Sequence, residues 1–267
     1  MPPETAAGTP RAVDAVAIQG IVFLCREMRV LTYNVHSCIG TDQKLAPARI
    51  AGVIARANAD VVCLQEIELC RARTNHEDQA ALIAEMLGMA FEFHPTISRE
   101  PEHFGDAILS RHPMTLKRKA TFPPVPNPIP NENRGAIWAV IEIEGTRWNV
   151  VNTHFGLGRE ERRLQALHFA SEWIAPALPG PLVICGDFNS RPGSRVHGIL
   201  SEKVTDIFRL NKARRPRTFS TNLPVVCLDY IYVSPKIAVD RAEVINDKVA
   251  RVASDHYPLI AELRSTP

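Results

Sequence analysis

No charge of either sign dominates this 267-residue chain: 31 Lys and Arg stand against 29 Asp and Glu, a formal balance of +2. A balance that close does not advertise a polyanion partner by electrostatics alone. No C-x-x-C pair occurs among the six cysteines (Cys25, Cys38, Cys63, Cys70, Cys185, Cys227). Cys63 and Cys185 fall inside apolar runs, where a free thiol behaves as a small hydrophobe, so a reducing cytoplasm is the expected compartment. No apolar run is long enough to span a bilayer. AVAIQGIVFLC at 15–25 is far too short and lacks a small-residue cleavage site, so no stable membrane insertion is expected. Nor does any 20–50-residue period or low-complexity block recur, which excludes a solenoid or a linker-joined pair of domains. What remains is a chain 45% hydrophobic, long enough to bury a core without disulfide or metal staples.

Residues 1–27 are expected to form a tail, with Met28 as an alternative start, and 28–265 one domain. From Met28 the pattern alternates: MRVLTYN reads as a strand, PARIAGVIARANA as a helix, DVVCLQE as a buried strand and HEDQAALIAEMLG as a helix capped by Gly88. FEFHP and GDAILSR read as strands, and the proline-rich FPPVPNPIPNEN as a surface loop. GAIWAVIEIEG and TRWNVVNTHF meet at Gly145 as an antiparallel hairpin, which excludes pure parallel winding. REERRLQALHFASEWI follows as a long amphipathic helix, and PLVICGDFN, LDYIYVS and HYPLIAEL as strands. Crossovers mixed with hairpins, and strands apolar on both faces, imply two packed sheets flanked by helices.

Polar residues terminate these strands: Asn34, Glu66, His154, Asp187 with Asn189, and Asp255–His256 ahead of the last strand. The crevice beyond strand ends is where sheet proteins bind ligands, so the five ends are expected to converge. Glu66, Asp187 and Asp255 are hard oxygen ligands, Asn34 and Asn189 are neutral oxygen donors, and no Cys/His set has zinc spacing; the inventory suits Mg²⁺ or Mn²⁺ and hence phosphate chemistry. Asp187 and Asn189 lie two apart across Phe188, which in an extended chain places both on one face and Phe188 in the core.

MRVLTYNVH, CLQE, NTHF, GDFN, LDYIYVS and SDHYPL, in this order and spacing over residues 28–265, closely resemble the endonuclease/exonuclease/phosphatase superfamily of metal-dependent phosphoesterases. The resemblance implies a four-layer α/β/β/α sandwich, and a substrate that is a nucleic acid, a phospholipid or a phosphorylated metabolite. It implies no obligate protein partner. Carried over position by position, it makes Glu66 the principal Mg²⁺ ligand and Asn34 the amide that positions metal and phosphate. Asp187 would orient or deprotonate the attacking water and touch the metal, and Asn189 would bind a phosphate oxygen. His256 would contact the scissile phosphate with Asp229 holding its ring. His154 and Arg134 would supply further phosphate contacts, and Asp255 would serve the metal directly or through water. Two positions depart from the pattern. Leu228 stands where several nuclease branches carry a basic residue, and Asp106 stands where relatives often have Asn; Asp106 is a site residue or a turn residue, the turn being preferred.

Singly, each of these residues also has a bland reading: Asn34 as a turn cap, Glu66 paired with a surface arginine, Asp187 in an Asx turn. The other histidines, and Trp138 and Trp148, are read as structural. The basic runs KRK (117–119) and KARRPR (212–217) either track a polyanion or are solvated loops. Three functions compete: a phosphodiesterase acting on nucleic acid, a hydrolase of phospholipid head groups or phosphorylated metabolites, and an inactive binding module that keeps the fold. The intact set of Asn34, Glu66, Asp187, Asn189, Asp229 and His256 argues against the last.

Overall fold

A computed structural model describes residues 27–125, 132–210 and 216–266. The expected tail up to residue 26, residues 126–131 of the proline-rich loop and residues 211–215, which hold most of the KARRPR run, lie outside the described residues.

Among the described residues, twelve strands form two six-stranded sheets. The first runs β11 (Ile237–Val244), β12 (Leu259–Ser265), β1 (Glu27–Asn34), β2 (Val61–Leu69), β4 (Glu102–Ser110), β3 (Ala90–Arg99). The second runs β5 (Met114–Thr121), β6 (Gly135–Ile143), β7 (Thr146–His154), β8 (Leu182–Asp187), β10 (Asp229–Val233), β9 (Thr205–Asp206). Two neighbouring pairs are parallel, β1 with β2 and β7 with β8. Parallel neighbours need a long crossover, and helices supply it: α1 (Pro47–Ala57) for the first pair and α3 (Arg159–Phe169) for the second. The β6–β7 hairpin turns at Glu144 and Gly145, both at positive φ.

Side-chain alternation sorts each central strand between two cores. Along β1, Met28 and Val30 face the core between the sheets, with Val61, Cys63, Trp148, Val183 and Cys185, whereas Leu31 and Tyr33 face α1 and α2 (Gln79–Leu87). On the far side Phe155, Phe169, Trp173 and Tyr230 pack α3 against the second sheet. The layers are therefore helix, sheet, sheet, helix, as expected. Asp78 caps α2 by accepting from the Ala81 N–H, and Gly88 ends it in the left-handed conformation.

Two expectations need correction. The KRK run is not a loop: Lys117, Arg118 and Lys119 lie on the edge strand β5, where Arg118 lies 4.4 Å over the Trp173 ring and donates to the Glu172 carbonyl. Asp106 is not a turn residue; it sits within β4, 2% exposed. Its alternation signal was hidden because β4 is buried along seven consecutive positions.

Candidate active site

Both parallel pairs deliver their carboxyl ends to the same edge of the sandwich. Asn34 is the last residue of β1, His154 the last of β7 and Asp187 the last of β8, and Asp229 opens β10 directly opposite Asp187. The decisive contact spans the two sheets. Asn34 Nδ2 donates to Glu66 Oε1 at 2.9 Å and to Asp187 Oδ2 at 3.1 Å, the second bond joining residues 153 apart in sequence. The Asn34 Oδ1 meanwhile accepts from the His36 N–H. In this arrangement Asn34 is a donor that holds two carboxylates together rather than an oxygen facing them.

A β-bulge aims Glu66. Leu64 pairs with Ala107 and Ile67 with Gly105, so Gln65 and Glu66 together oppose Asp106, and Glu66 sits at φ 60°. The Asp106 carboxyl accepts the Glu66 N–H that the bulge would otherwise orphan, while its Oδ2 is buried without a partner. Burial raises the Asp106 pKa to about 8; Arg134 works against the shift, and Glu66 and Asp187 add to it. Asp106 thus belongs to the support of the site. The carboxylate that pairs with arginines is Glu68, not Glu66: Arg71, Arg73, Ser37 and Thr74 all donate to it. Burial alone would raise its pKa, but Arg73 holds it below the usual range.

Asp187 is 1% exposed. Its Oδ1 accepts from the Asn189 N–H at 2.8 Å, an Asx turn with Asn189 at φ 47°, so the chain here is bent rather than extended as expected. Phe188 does enter the core. The preceding Gly186 is required by close approach: a Cβ there would lie 2.1 Å from the Thr153 carbonyl oxygen. Burial raises the Asp187 pKa to about 7, with the His256 charge opposing that shift and Asp229 reinforcing it.

His256 Nδ1 lies 2.9 Å from Asp229 Oδ2, and its Nε2 3.7 Å from Asp187 Oδ2. Burial works against the imidazolium, but Asp229 and then Asp187 outweigh it and raise the pKa to about 10. With His256 protonated, Nδ1–H donates to Asp229 and Nε2–H is left facing the site. Thr218 Oγ1 accepts from the Leu228 N–H, fixing the entry to β10, and the Phe219 ring lies 4.8 Å from the His256 ring.

His154 is held neutral: burial, then Arg134 and His256, push its pKa well down. Arg134 is an obligate donor at 3.1 Å from Nδ1, so Nδ1 accepts and Nε2 carries the proton, 3.5 Å from Asp187 Oδ2. Asn189 Nδ2 donates to the Phe155 carbonyl and rests 3.1 Å from the same Nε2. Arg134 is 6% exposed and also pairs with Glu132.

Of the expected residues, eight converge: Asn34, Glu66, Arg134, His154, Asp187, Asn189, Asp229 and His256. Asp255 is adjacent but partly exposed; its carboxylate takes only a 3.4 Å contact from Ser254 Oγ. The sequence reading missed Asn152. Its Nδ2 donates to the Leu64 and Ala107 carbonyls of the opposite sheet, and its Oδ1 accepts from Gln65 at 2.7 Å, pinning the sheets together near the site. A buried Asn inside the NTH string was the available signal.

Asp187, Asp229 and His256 place ligand-capable atoms within 4.8 Å of one another, and Asp229 Oδ1 is buried without a partner. With the Glu66 carboxylate against the same Asn34 amide as Asp187, the three carboxylates of Glu66, Asp187 and Asp229 make an oxygen-rich, like-charged set that fits a hard divalent cation, with the His256 imidazolium beside it.

A profile of the Endonuclease/Exonuclease/phosphatase family matches residues 31–256. The chain is 26% identical over 250 residues to the uncharacterized protein YbhP of Escherichia coli (strain K12), covering 88% of this chain and 95% of that one. It superposes on an endonuclease/exonuclease/phosphatase from Beutenbergia cavernae DSM 12333 with a TM-score of 0.72 at 23% identity, over 90% of this chain and 72% of that one. A mannosyl-6-phosphatase from Bacteroides thetaiotaomicron VPI-5482 gives a TM-score of 0.70 at 22% identity, over 88% and 99% of the two chains. These structural likenesses establish the fold, and the profile, spanning most of the domain, establishes the lineage: the chain belongs to the endonuclease/exonuclease/phosphatase family, whose members are phosphoester-hydrolysing enzymes.

Proposed function

We propose that the chain is a Mg²⁺-dependent phosphodiesterase, with Mn²⁺ as the alternative ion, that hydrolyses its substrate by in-line attack of water on phosphorus. The observation that carries this reading is the single Asn34 amide donating to both Glu66 and Asp187. Glu66 and Asp187 would hold the cation, with Asp255 reaching it through water and Asn34 setting the spacing of the two carboxylates. The cation, when bound, supplies Lewis-acid neutralisation of phosphate charge.

The protein groups account for the rest. Asp187 orients the attacking water and takes its proton at Oδ2. His256, kept as an imidazolium by Asp229, donates from Nε2 to a non-bridging phosphate oxygen. Asn189 and the Nε2–H of His154 complete the donors, and Arg134 locks the His154 tautomer while placing a fixed positive charge behind it. No covalent intermediate is needed. A phosphorylated metabolite is the second reading, favoured by enclosure: Asp187, Asp229, His154 and His256 are each no more than 5% exposed, which suits a small terminal phosphate. A reducing compartment such as the cytoplasm is supported by the five cysteines among the described residues, all free and four of them buried. Among the described residues no helix is long and apolar enough to cross a membrane.

The test is hydrolysis of bis(p-nitrophenyl) phosphate and p-nitrophenyl phosphate with Mg²⁺ and with chelator. Wild type should turn over in Mg²⁺ alone, and Glu66→Ala and Asp187→Asn should abolish turnover while keeping the circular-dichroism spectrum. Equal turnover by all three proteins overturns the assignment.

A further inference from the structure

We propose that a cavity between the first turn of α3 and the start of α4 (Arg195–Leu200) is a subsite for a second phosphate group on the substrate. The inference rests on the phosphoesterase reading and adds to it a requirement on substrate chemistry.

The cavity has a volume of about 120 Å³ and is lined by Arg159, Arg162, Arg163, Arg195, Ser190 and Ser194. Four guanidinium groups meet one carboxylate there, that of Glu160, and Arg163 already pairs with it at 2.6 Å. Arg162 is turned back on the chain, donating to the Gly156 and Leu157 carbonyls. Arg159 and Arg195 have no hydrogen-bond or ion-pair partner among the described residues, and both are exposed. Glu160 and Glu161 in the same turn offset part of this charge, acting on Arg159, Arg195 and Arg162, and four guanidinium groups against these two carboxylates leave the cavity with a positive surplus.

A second and independent observation points to a ligand. Ser190 is 2% exposed, yet its hydroxyl has no hydrogen-bond partner, and the Ser194 hydroxyl is likewise buried and unpartnered. Both serines line this cavity. A hydroxyl withdrawn from water without a partner is costly, and rotation of each serine about χ1 toward the cavity would let an oxyanion there accept from it. The arginines also stand at the positive end of the α3 dipole, where cations are disfavoured and anions favoured. Glu160 and Glu161 share that first turn with Arg159 and Arg162, and a bound anion would add to the favourable charge there.

The cavity adjoins the reaction centre. Ser190 follows Asn189 in the chain, and Asn189 sits against His154 and takes up the Asp187 carboxylate through its N–H. Arg162 holds the carbonyls of the loop that leaves His154 and feels the Asp187 charge. A group bound here is thus tied covalently, over a short span, to the ester being cleaved. Several donors from planar guanidinium forks and hydroxyls match a tetrahedral phosphate. That phosphate comes either from the neighbouring linkage of a polynucleotide or from the other end of a bisphosphorylated metabolite.

The test compares wild type with Arg159→Gln/Arg195→Gln and with Ser190→Ala in Mg²⁺. Three substrates are used: bis(p-nitrophenyl) phosphate, a 5′-phosphorylated dinucleotide and a sugar bisphosphate. The double variant should raise KM about tenfold or more for a two-phosphate substrate, with kcat little changed and bis(p-nitrophenyl) phosphate hydrolysis unaffected. The salt dependence of its KM should flatten accordingly. Ser190→Ala should raise the same KM by a smaller factor. An effect confined to the dinucleotide identifies the polynucleotide source; one confined to the sugar bisphosphate identifies the metabolite. Unchanged KM on both two-phosphate substrates overturns the subsite alone, whereas failure of wild type to hydrolyse any of the three overturns the phosphoesterase reading beneath it.

Discussion

Replacing Asp106 with Asn should change how stability depends on pH. The side chain is 2% exposed, and burial raises its pKa from 3.8 to about 8. Between those values the folded protein holds a proton that the unfolded chain releases. Stability is therefore fullest below about pH 4 and falls as pH rises, by about 1.4 kcal/mol per pH unit for each such group. Asp187, raised from 3.8 to about 7, adds a second proton of the same sign. His154, held neutral in the folded protein, contributes with the opposite sign below pH 6.5, so in chelator wild-type stability should fall by about 1.4 kcal/mol per unit between about pH 5 and about pH 6.5, and the slope of Asp106→Asn should be shallower by about 1.4 kcal/mol per unit. This window lies above the titration of carboxylates held low, such as Glu68, and His256, raised from 6.5 to about 10, steepens the fall equally in both proteins toward its upper end. The difference accumulates to about 2 kcal/mol, or about 4–8 °C in Tm. Urea unfolding at four or five pH values measures it. The slope is the readout, because the new amide could cost stability at every pH without altering it. Parallel curves for the two proteins would show that Asp106 does not carry the proton and would refute the reasoning.

Asp229→Asn should lower kcat by about 10²–10⁴ and move the alkaline limb of its pH profile to lower pH, since the imidazolium loses the carboxylate that raises its pKa to about 10. His256→Ala should lose a similar factor with no such limb, which steady-state profiles on bis(p-nitrophenyl) phosphate distinguish. Adding divalent cation at a hundred times its Kd should stabilise wild type by about 2.7 kcal/mol, and Glu66→Ala should lose most of that shift in a thermal melt. Asn152→Ala should destabilise by about 1–3 kcal/mol, because Gln65 and two buried carbonyls lose their partner.

How much of this was legible in advance divides along a physical line. Strand ends are legible because a polar residue that interrupts a buried apolar run has few other places to go; Asn34, Glu66, His154 and Asp187 all announced themselves that way and all converge. Strands β5 and β11 were not legible. They are edge strands with short, broken apolar rows: in β5 Arg118 interrupts the half-buried row of Met114, Leu116 and Ala120, and in β11 a bulge between Val239 and Arg241 breaks the alternation. The KRK run misled for the same reason: Arg118 is half-buried by stacking on Trp173, a contact that no local pattern encodes.

Asp106 shows where such reading stops. A lone carboxylate after a glycine looks like a turn, and in β4 that impression is wrong because the residue's role is set by its partner strand. The β2 bulge exists only once β2 and β4 are in register, and the orphaned Glu66 N–H that Asp106 accepts exists only once the bulge does. A neutral amide at that position could still receive the N–H, but through one oxygen and without charge. The carboxylate therefore adds what an amide cannot, a titratable charge beneath Glu66 and Asp187, at the cost of burying it. That cost is tolerable where a cation and Arg134 lie within reach, and it ties the protonation of Asp106 to whatever occupies the site above it.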